Sequence, residues 1–260
     1  MILRRLVENL RQQHWTAIGI ELVIVFVGVF LGMQVTNWNE DRETRHKAAL
    51  FTARLTEDLR KEGWGYDYLI AYSVDLNKNQ RQVLDALTGE HPLSDEQFLI
   101  SAYRATQYKF NDRFRAAYDE LVSTGNMGLI ANQQLRETAV TVFTTTLLQV
   151  ISDEGVHSEY RQLFRETVPA DLQATLLTRC GDRYVEVGDF TGIRGSIDYP
   201  CTLAVAPEKI AAAAASLKAL PRLQPALRIR FADTQTALTD LQVSNKVVWK
   251  HLRELRGGTP

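Results

Sequence analysis

The run from Ala17 to Trp38, AIGIELVIVFVGVFLGMQVTNW, holds a single charge, Glu21. Twenty helical residues rise roughly 30 Å, the thickness of a bilayer's hydrocarbon core, so Ala17 to Thr36 is long enough to cross it. Trp15 and Trp38 stand at the two ends, where aromatic rings anchor at headgroup depth. Polar residues stop the run on both sides, Arg11 and His14 before it and Asn39, Glu40, Asp41 and Arg42 after it. Met33, Gln34, Val35 and Thr36 offer no small-x-small cleavage pattern, so the run reads as an anchor rather than a removed signal. The expected organisation is a short tail at 1–16, a transmembrane helix at 17–38, an extramembrane domain at 39–256 and a disordered tail at 257–260.

Orientation rests on Lys/Arg counts that nearly tie: Arg4, Arg5 and Arg11 precede the span, and Arg42, Arg45 and Lys47 follow it. The only two cysteines, Cys180 and Cys201, flank a Gly-rich stretch, where a bridge would be worth roughly 3 kcal/mol in an oxidising compartment. This favours an N-terminus in the cytoplasm and a body outside, with two free thiols in a cytoplasmic body as the alternative.

An ionised carboxylate at membrane depth costs roughly 3 kcal/mol near the centre and less near an end. Glu21 must therefore snorkel, take a proton or find a partner. Around a helix, Gly28 and Gly32 each fall within about 20° of Glu21, with Ala17 and Asn39 near the same line. Gly28 and Gly32 have the spacing that lets two helix backbones approach. One face, Ala17, Glu21, Gly28, Gly32 and Asn39, thus joins close-packing residues to a polar one. It reads as a contact for a second copy or another membrane protein, or as ordinary membrane glycines beside a carboxylate that reaches the headgroups.

The remaining residues suffice for one folded domain, and a net charge of −1 carries no basic stripe of the kind nucleic-acid binding needs. The pattern is all-α: one N-terminal transmembrane helix continuing into an extramembrane helical bundle with a small irregular or β-hairpin insert. Ala48, Phe51, Leu55 and Leu59 stripe the helix that leaves the span, and Gly63 and Gly65 are expected to kink it before it resumes up to Gly89. Ser94 and Gln97 match a capping box, and Gly125 closes a short helix around Phe114, Tyr118 and Leu121. Asn132 caps a long helix through Leu135, Ala139, Val142, Thr146 and Val150, bent at Gly155. Val168-Pro169 opens another. From Cys180 to about 206 the glycines punctuate β-prone pieces such as Tyr184 to Val187, a loop or small hairpin. The last helix, Gln224 to Leu255, carries a heptad seam: Leu227, Phe231, Thr234, Leu238, Leu241, Asn245, Val248, Leu252 and Leu255. It packs on the helix leaving the membrane, or zips two chains as a coiled coil.

Two stretches together resemble a family of uncharacterised bacterial membrane proteins with one N-terminal span and a helical body. The first is Gly19-x-Glu21, an apolar run, then Gln34-x-x-Asn37-Trp38-Asn39-Glu40. The second is Tyr118-Asp119-Glu120-Leu121-Val122-Ser123-Thr124-Gly125-Asn126, with Leu129-Ile130 and Asn132-x-x-Leu135-Arg136 behind it. They cover about a quarter of the chain. The resemblance implies architecture and location, an anchor in the bacterial inner membrane with the body periplasmic, and brings no catalytic residue.

Chemistry is thinly signalled. Glu43 with His46 and Glu154 with His157 have the Glu-x-x-His spacing of di-iron bundles. However, His46 falls about 160° from the Ala48 and Phe51 stripe, and Gly155 interrupts the second motif. No metalloprotease, nucleophile-elbow or phosphate-loop pattern occurs. The loop from Ser123 to Asn132 reads as an anion nest or, more simply, as a helix end, a plug of Met127, Leu129 and Ile130, and a cap. Trp64, Tyr66, Tyr68, Tyr72, Tyr103, Tyr108 and Phe110 line either a core or a ligand pocket. The leading expectation is a non-enzymatic interaction protein, without cofactor, that associates through its span with itself or another membrane protein. A periplasmic ligand-binding or sensory domain signalling through a membrane partner comes second, and a metal-dependent enzyme third.

Overall fold

The chain was studied as a computed structural model that describes residue 7 and residues 15–256. The expected tail segments before Trp15, Val7 apart, and after Arg256 lie outside the described residues, as do the side chains of Trp15 and Ala17. The described residues are predominantly helical, with no strand among them, so the protein is all-α.

Helix α1 runs unbroken from Trp15 to Thr88. No proline interrupts it, and it continues through Gly63 and Gly65, where a kink is expected from the sequence; at Gly63 it packs against Leu252. α1 contributes to two compact units. The first comprises residues 1–53 with 127–131. In it the apolar run is exposed, with Leu22, Phe26, Phe30 and Leu31 all presented outward. It is the one helix among the described residues long and apolar enough to cross a membrane, with a mean hydropathy of 2.3 over its best window. In the same unit Ile130 is fully buried and Met127 and Leu129 are half-buried, as a hydrophobic plug requires.

The second unit, residues 54–126 with 132–260, holds the domain's core. Here α1 presents Leu55, Leu59, Leu69, Leu76 and Val83 as a buried stripe at helical spacing. The chain turns at Gly89, whose φ of +80° suits a residue without Cβ. It re-enters as α2 (Asp95–Ala105), opened by a reciprocal capping box of Ser94 and Gln97. α3 (Ala116–Ser123) has no cap of its own, and Asp58 from α1 supplies one by accepting from Ala117 N–H at 2.8 Å.

Asn132 caps α4 (Gln133–Thr144) by accepting from Leu135 N–H at 3.0 Å. The expected single helix to Val150 is instead two. Thr145 takes an extended conformation and its hydroxyl accepts from Leu147 N–H, opening α5 (Leu147–Val156). Thr144, Thr145 and Thr146 are three β-branched residues whose hydroxyls compete with the backbone ladder. The helix changes beside Gly155, as the sequence suggests: α5 ends at Val156 and the next helix opens at Glu159. Gly155 itself sits inside α5, where a Cβ would come within 2.5 Å of Tyr108 Cβ and 2.9 Å of the Arg230 guanidinium.

Then follow α6 (Glu159–Thr167), α7 (Ala170–Cys180) behind Pro169, the short α8 (Ile193–Ile197), α9 (Pro207–Lys218) and α10 (Leu223–Thr239). α9 packs on α2 and α6, α7 on α2, and α10 on α6 and α5, around Phe98, Leu99, Tyr160, Phe164, Leu176 and Leu217. The expected last helix is broken by a π-turn at Asp240–Ser244 before α11 (Lys246–Arg256). Tyr66 causes the break: its hydroxyl donates to Leu241 C=O at 3.1 Å, and Asn245 N–H bonds Asp240 C=O instead.

Every seam residue from Leu227 to Leu255 is nonetheless buried or half-buried. α10 and α11 run antiparallel to α1: Gln80 donates to Thr234, Tyr66 meets Leu241, and the Gly63 backbone meets Leu252. The two polar interruptions of the seam are thus used within the chain, Thr234 by Gln80 and Asn245 by the π-turn.

Candidate functional site

Trp64, Tyr68 and Tyr72 stand four residues apart on α1, so they share one face. Their rings meet edge to face, with centroids 5.3 and 6.3 Å apart. The segment between the cysteines lies over this ladder. Cys180 and Cys201 are joined by a disulfide, with Cα atoms 5.5 Å apart. No hairpin forms between them, since Tyr184 to Val187 has no partner strand. Instead Asp189 Oδ1 accepts from Thr191 N–H and Gly192 N–H, and this turn leads into α8.

α8 then sets Ile193 and Ile197 against the three rings. Polar bonds fix the register: Trp64 Nε1–H donates to Asp189 C=O at 3.0 Å, Ser196 Oγ to the Tyr68 hydroxyl at 3.1 Å, and the Tyr72 hydroxyl to Asp182 Oδ2 at 2.9 Å.

Beside the ladder opens a cleft of about 350 Å³. Trp64, Tyr68 and Phe114 give it flat apolar walls; Lys109, Asn111, Asp112, Asp182 and Arg183 give it polar ones. The loop from Gln107 to Arg115 is held in place by Glu62 of α1, which accepts from Arg113 Nε and from Phe114 N–H at 2.6 Å. Burial raises the Glu62 pKa, against the Arg113 charge.

Lys109 Nζ lies 4.8 Å from the Tyr68 ring centroid and donates to Phe110 C=O. Burial lowers its pKa, opposed by Asp112 and Asp182. Asp182 is exposed at the mouth as a residue, but its carboxyl turns inward to Tyr72. Loss of water there raises its pKa, against the Tyr72 hydrogen bond and the Lys109 and Arg104 charges. Asn111 Nδ2 is buried without a partner. The cleft therefore offers aromatic faces, two cations and a free amide donor, which suits a ligand with a flat or apolar face and hydrogen-bond acceptors.

No nucleophile paired with a base lines this cleft. Among the described residues no group of three or more His, Cys, Asp or Glu side chains converges. Glu43 pairs with Lys47 at 2.7 Å, and His157 bonds Asp153 C=O, so one member of each Glu-x-x-His motif is engaged locally. Of the aromatics singled out by sequence, the structure brings Trp64, Tyr68 and Tyr72 together and sends Tyr66 to Leu241 and Tyr103 against Phe164. Lys109, Asn111 and Asp182 carried no sequence signal, being distant in the chain and in irregular segments.

In the apolar run, a Cβ at Gly28 or Gly32 would meet nothing within 4 Å, and one oxygen of Glu21 has no hydrogen-bond partner. Asn39 is exposed. No protein-family model, curated protein or solved structure matches the chain.

Proposed function

We propose that this chain is a single-pass, membrane-anchored binding protein without enzymatic activity, whose helical domain takes a small ligand in the Trp64–Tyr68 cleft. The observation that carries the reading is the cleft itself: flat aromatic walls with Lys109, Arg183 and an unpartnered Asn111 amide beside them. The full-length protein in neutral detergent, heated with cell-wall fragments, lipids and metal ions in turn, should be stabilised by one of these ligand classes, because a ligand bound only by the folded state raises the melting temperature. That stabilisation should shrink in Lys109→Met. No stabilising compound, or an undiminished effect in the variant, would count against the reading.

A second reading, association through the span, is favoured by the open Gly28 and Gly32 positions aligned with Glu21. The location proposed is the bacterial inner membrane, N-terminus inside and domain periplasmic. The Cys180–Cys201 bridge supports it, since such bonds persist in oxidising compartments, and so does the likeness of the span-to-stalk junction to the bacterial family. A dual topology reporter fused after Arg256, with non-reducing gels of the wild type and Cys180→Ser, tests this. A periplasmic signal and a mobility shift lost in the variant are expected; a cytoplasmic signal overturns it.

A further inference from the structure

A second cleft, of about 240 Å³, lies where α6 and α7 meet the end of α2, and it is chemically unlike the first. No acidic residue lines it. Arg161 and Arg165, one turn apart on α6, both face it, and neither is ion-paired, whereas Arg222 nearby is held by Glu159. Arg161 is half-buried; its one hydrogen bond goes to Thr106 C=O at 3.1 Å and its plane stacks on Tyr108, which leaves most of its five N–H groups unused.

An independent observation points the same way. Tyr103, only 6% exposed, lines the cleft, and its hydroxyl is buried without any hydrogen-bond partner. A buried hydroxyl left unsatisfied costs about 1–3 kcal/mol, so such a group within reach of the unpaired Arg161 charge signals a missing acceptor. Burial and the neighbouring Arg165 charge also disfavour the charged form of Arg161, a penalty that a bound anion would relieve. Phe164 and Leu177 supply an apolar wall, Leu177 being exposed there.

We propose that this cleft is an oxyanion site, in which Arg161 and Arg165 hold a carboxylate or phosphate group, Tyr103 donates to it, and Phe164 and Leu177 cover the apolar body that carries it. Guanidinium groups suit this task because their planar forks match both oxyanions. The site is separate from the aromatic cleft and does not depend on its reading.

The test is calorimetric titration of the full-length protein in neutral detergent with phenyl phosphate and with benzoate, at constant ionic strength. Saturable binding of at least one is expected. Arg165→Gln, at an exposed position with no partner to lose, should weaken it about tenfold, the equivalent of one charge-assisted hydrogen bond. Arg161→Gln should weaken it at least as much. Tyr103→Phe should weaken it several-fold without lowering the melting temperature, since the hydroxyl bonds nothing in the chain and its removal relieves an unsatisfied buried group. Lys246→Gln, which removes an equal charge from α11, should bind as the wild type does. Absence of saturable binding by either probe, unchanged affinity in Arg165→Gln, or an equal loss in Lys246→Gln would overturn the site.

Discussion

The two halves of α1 use the same residue types to opposite ends. From Leu22 to Met33 its large side chains are apolar on every side and all exposed; from Leu55 to Val83 the buried ones keep to stripes, Leu55 to Val83 on one face and Trp64, Tyr68 and Tyr72 on another, with polar residues between them. Glycine marks the contrast most sharply. Nothing lies within 4 Å of a Cβ built at Gly28 or Gly32, whereas at Gly63 the Leu252 carbonyl is 3.3 Å away. A helix apolar all round has its apolar partner outside the chain, and one with a stripe finds it inside, so periodicity rather than hydrophobicity tells the two apart.

Substitutions that ought to act in one half and not the other probe this difference most strongly. Leu59→Ala, at a fully buried position, should cost the domain about 2–5 kcal/mol in denaturant unfolding. Leu31→Ala, exposed in the apolar run, should leave the same transition within about 0.5 kcal/mol of wild type. Similar losses in both would erase the distinction.

Gly63→Leu should cost about 1–3 kcal/mol, because α11 has to move away from α1. Gly28→Leu with Gly32→Leu should leave domain stability untouched and lower self-association in a bilayer reporter assay; unchanged association would remove the second functional reading.

The smallest effect concerns Asp75, which burial gives a raised pKa, with Asp198 adding to the shift. A carboxyl whose folded pKa exceeds its unfolded one contributes stability that is complete below the unfolded value and is lost as pH rises through the folded value. Stability measured upward from the ordinary aspartate pKa should therefore decline, and Asp75→Asn should remove that part of the decline. An identical pH profile in the variant would show that Asp75 does not carry it.

Much of the fold was legible because short-range chemistry governs it. Ser94, Gly125, Asn132 and Pro169 punctuate helices through their own backbone or side-chain preferences, and the seam from Leu227 to Leu255 follows from its spacing. The misreadings share a cause. Gly63 and Gly65 look like helix breakers, but α1 runs through both, and Gly63 fills a close contact with Leu252. The π-turn depends on Tyr66 reaching a carbonyl 175 residues away. The break at Thr145 is not legible in the sequence because β-branched residues weaken a helix without announcing its end. The aromatic ladder could be seen in its four-residue spacing, but the cleft beside it could not, since Lys109, Asn111 and Asp182 converge only when the cystine loop folds over the rings. Arg161 and Arg165 were unremarkable as a pair on an exposed helix until the acid-free lining around them was known.

The loop closed by Cys180 and Cys201 also sets how the molecule responds to cutting. Tyr184 is 90% exposed on an irregular stretch inside that ring, the kind of site where proteases nick first. A single cut there leaves two polypeptides still tied by the bridge, with Trp64, Tyr68 and Tyr72 still covered by the downstream half. Only a reductant separates the fragments on a gel.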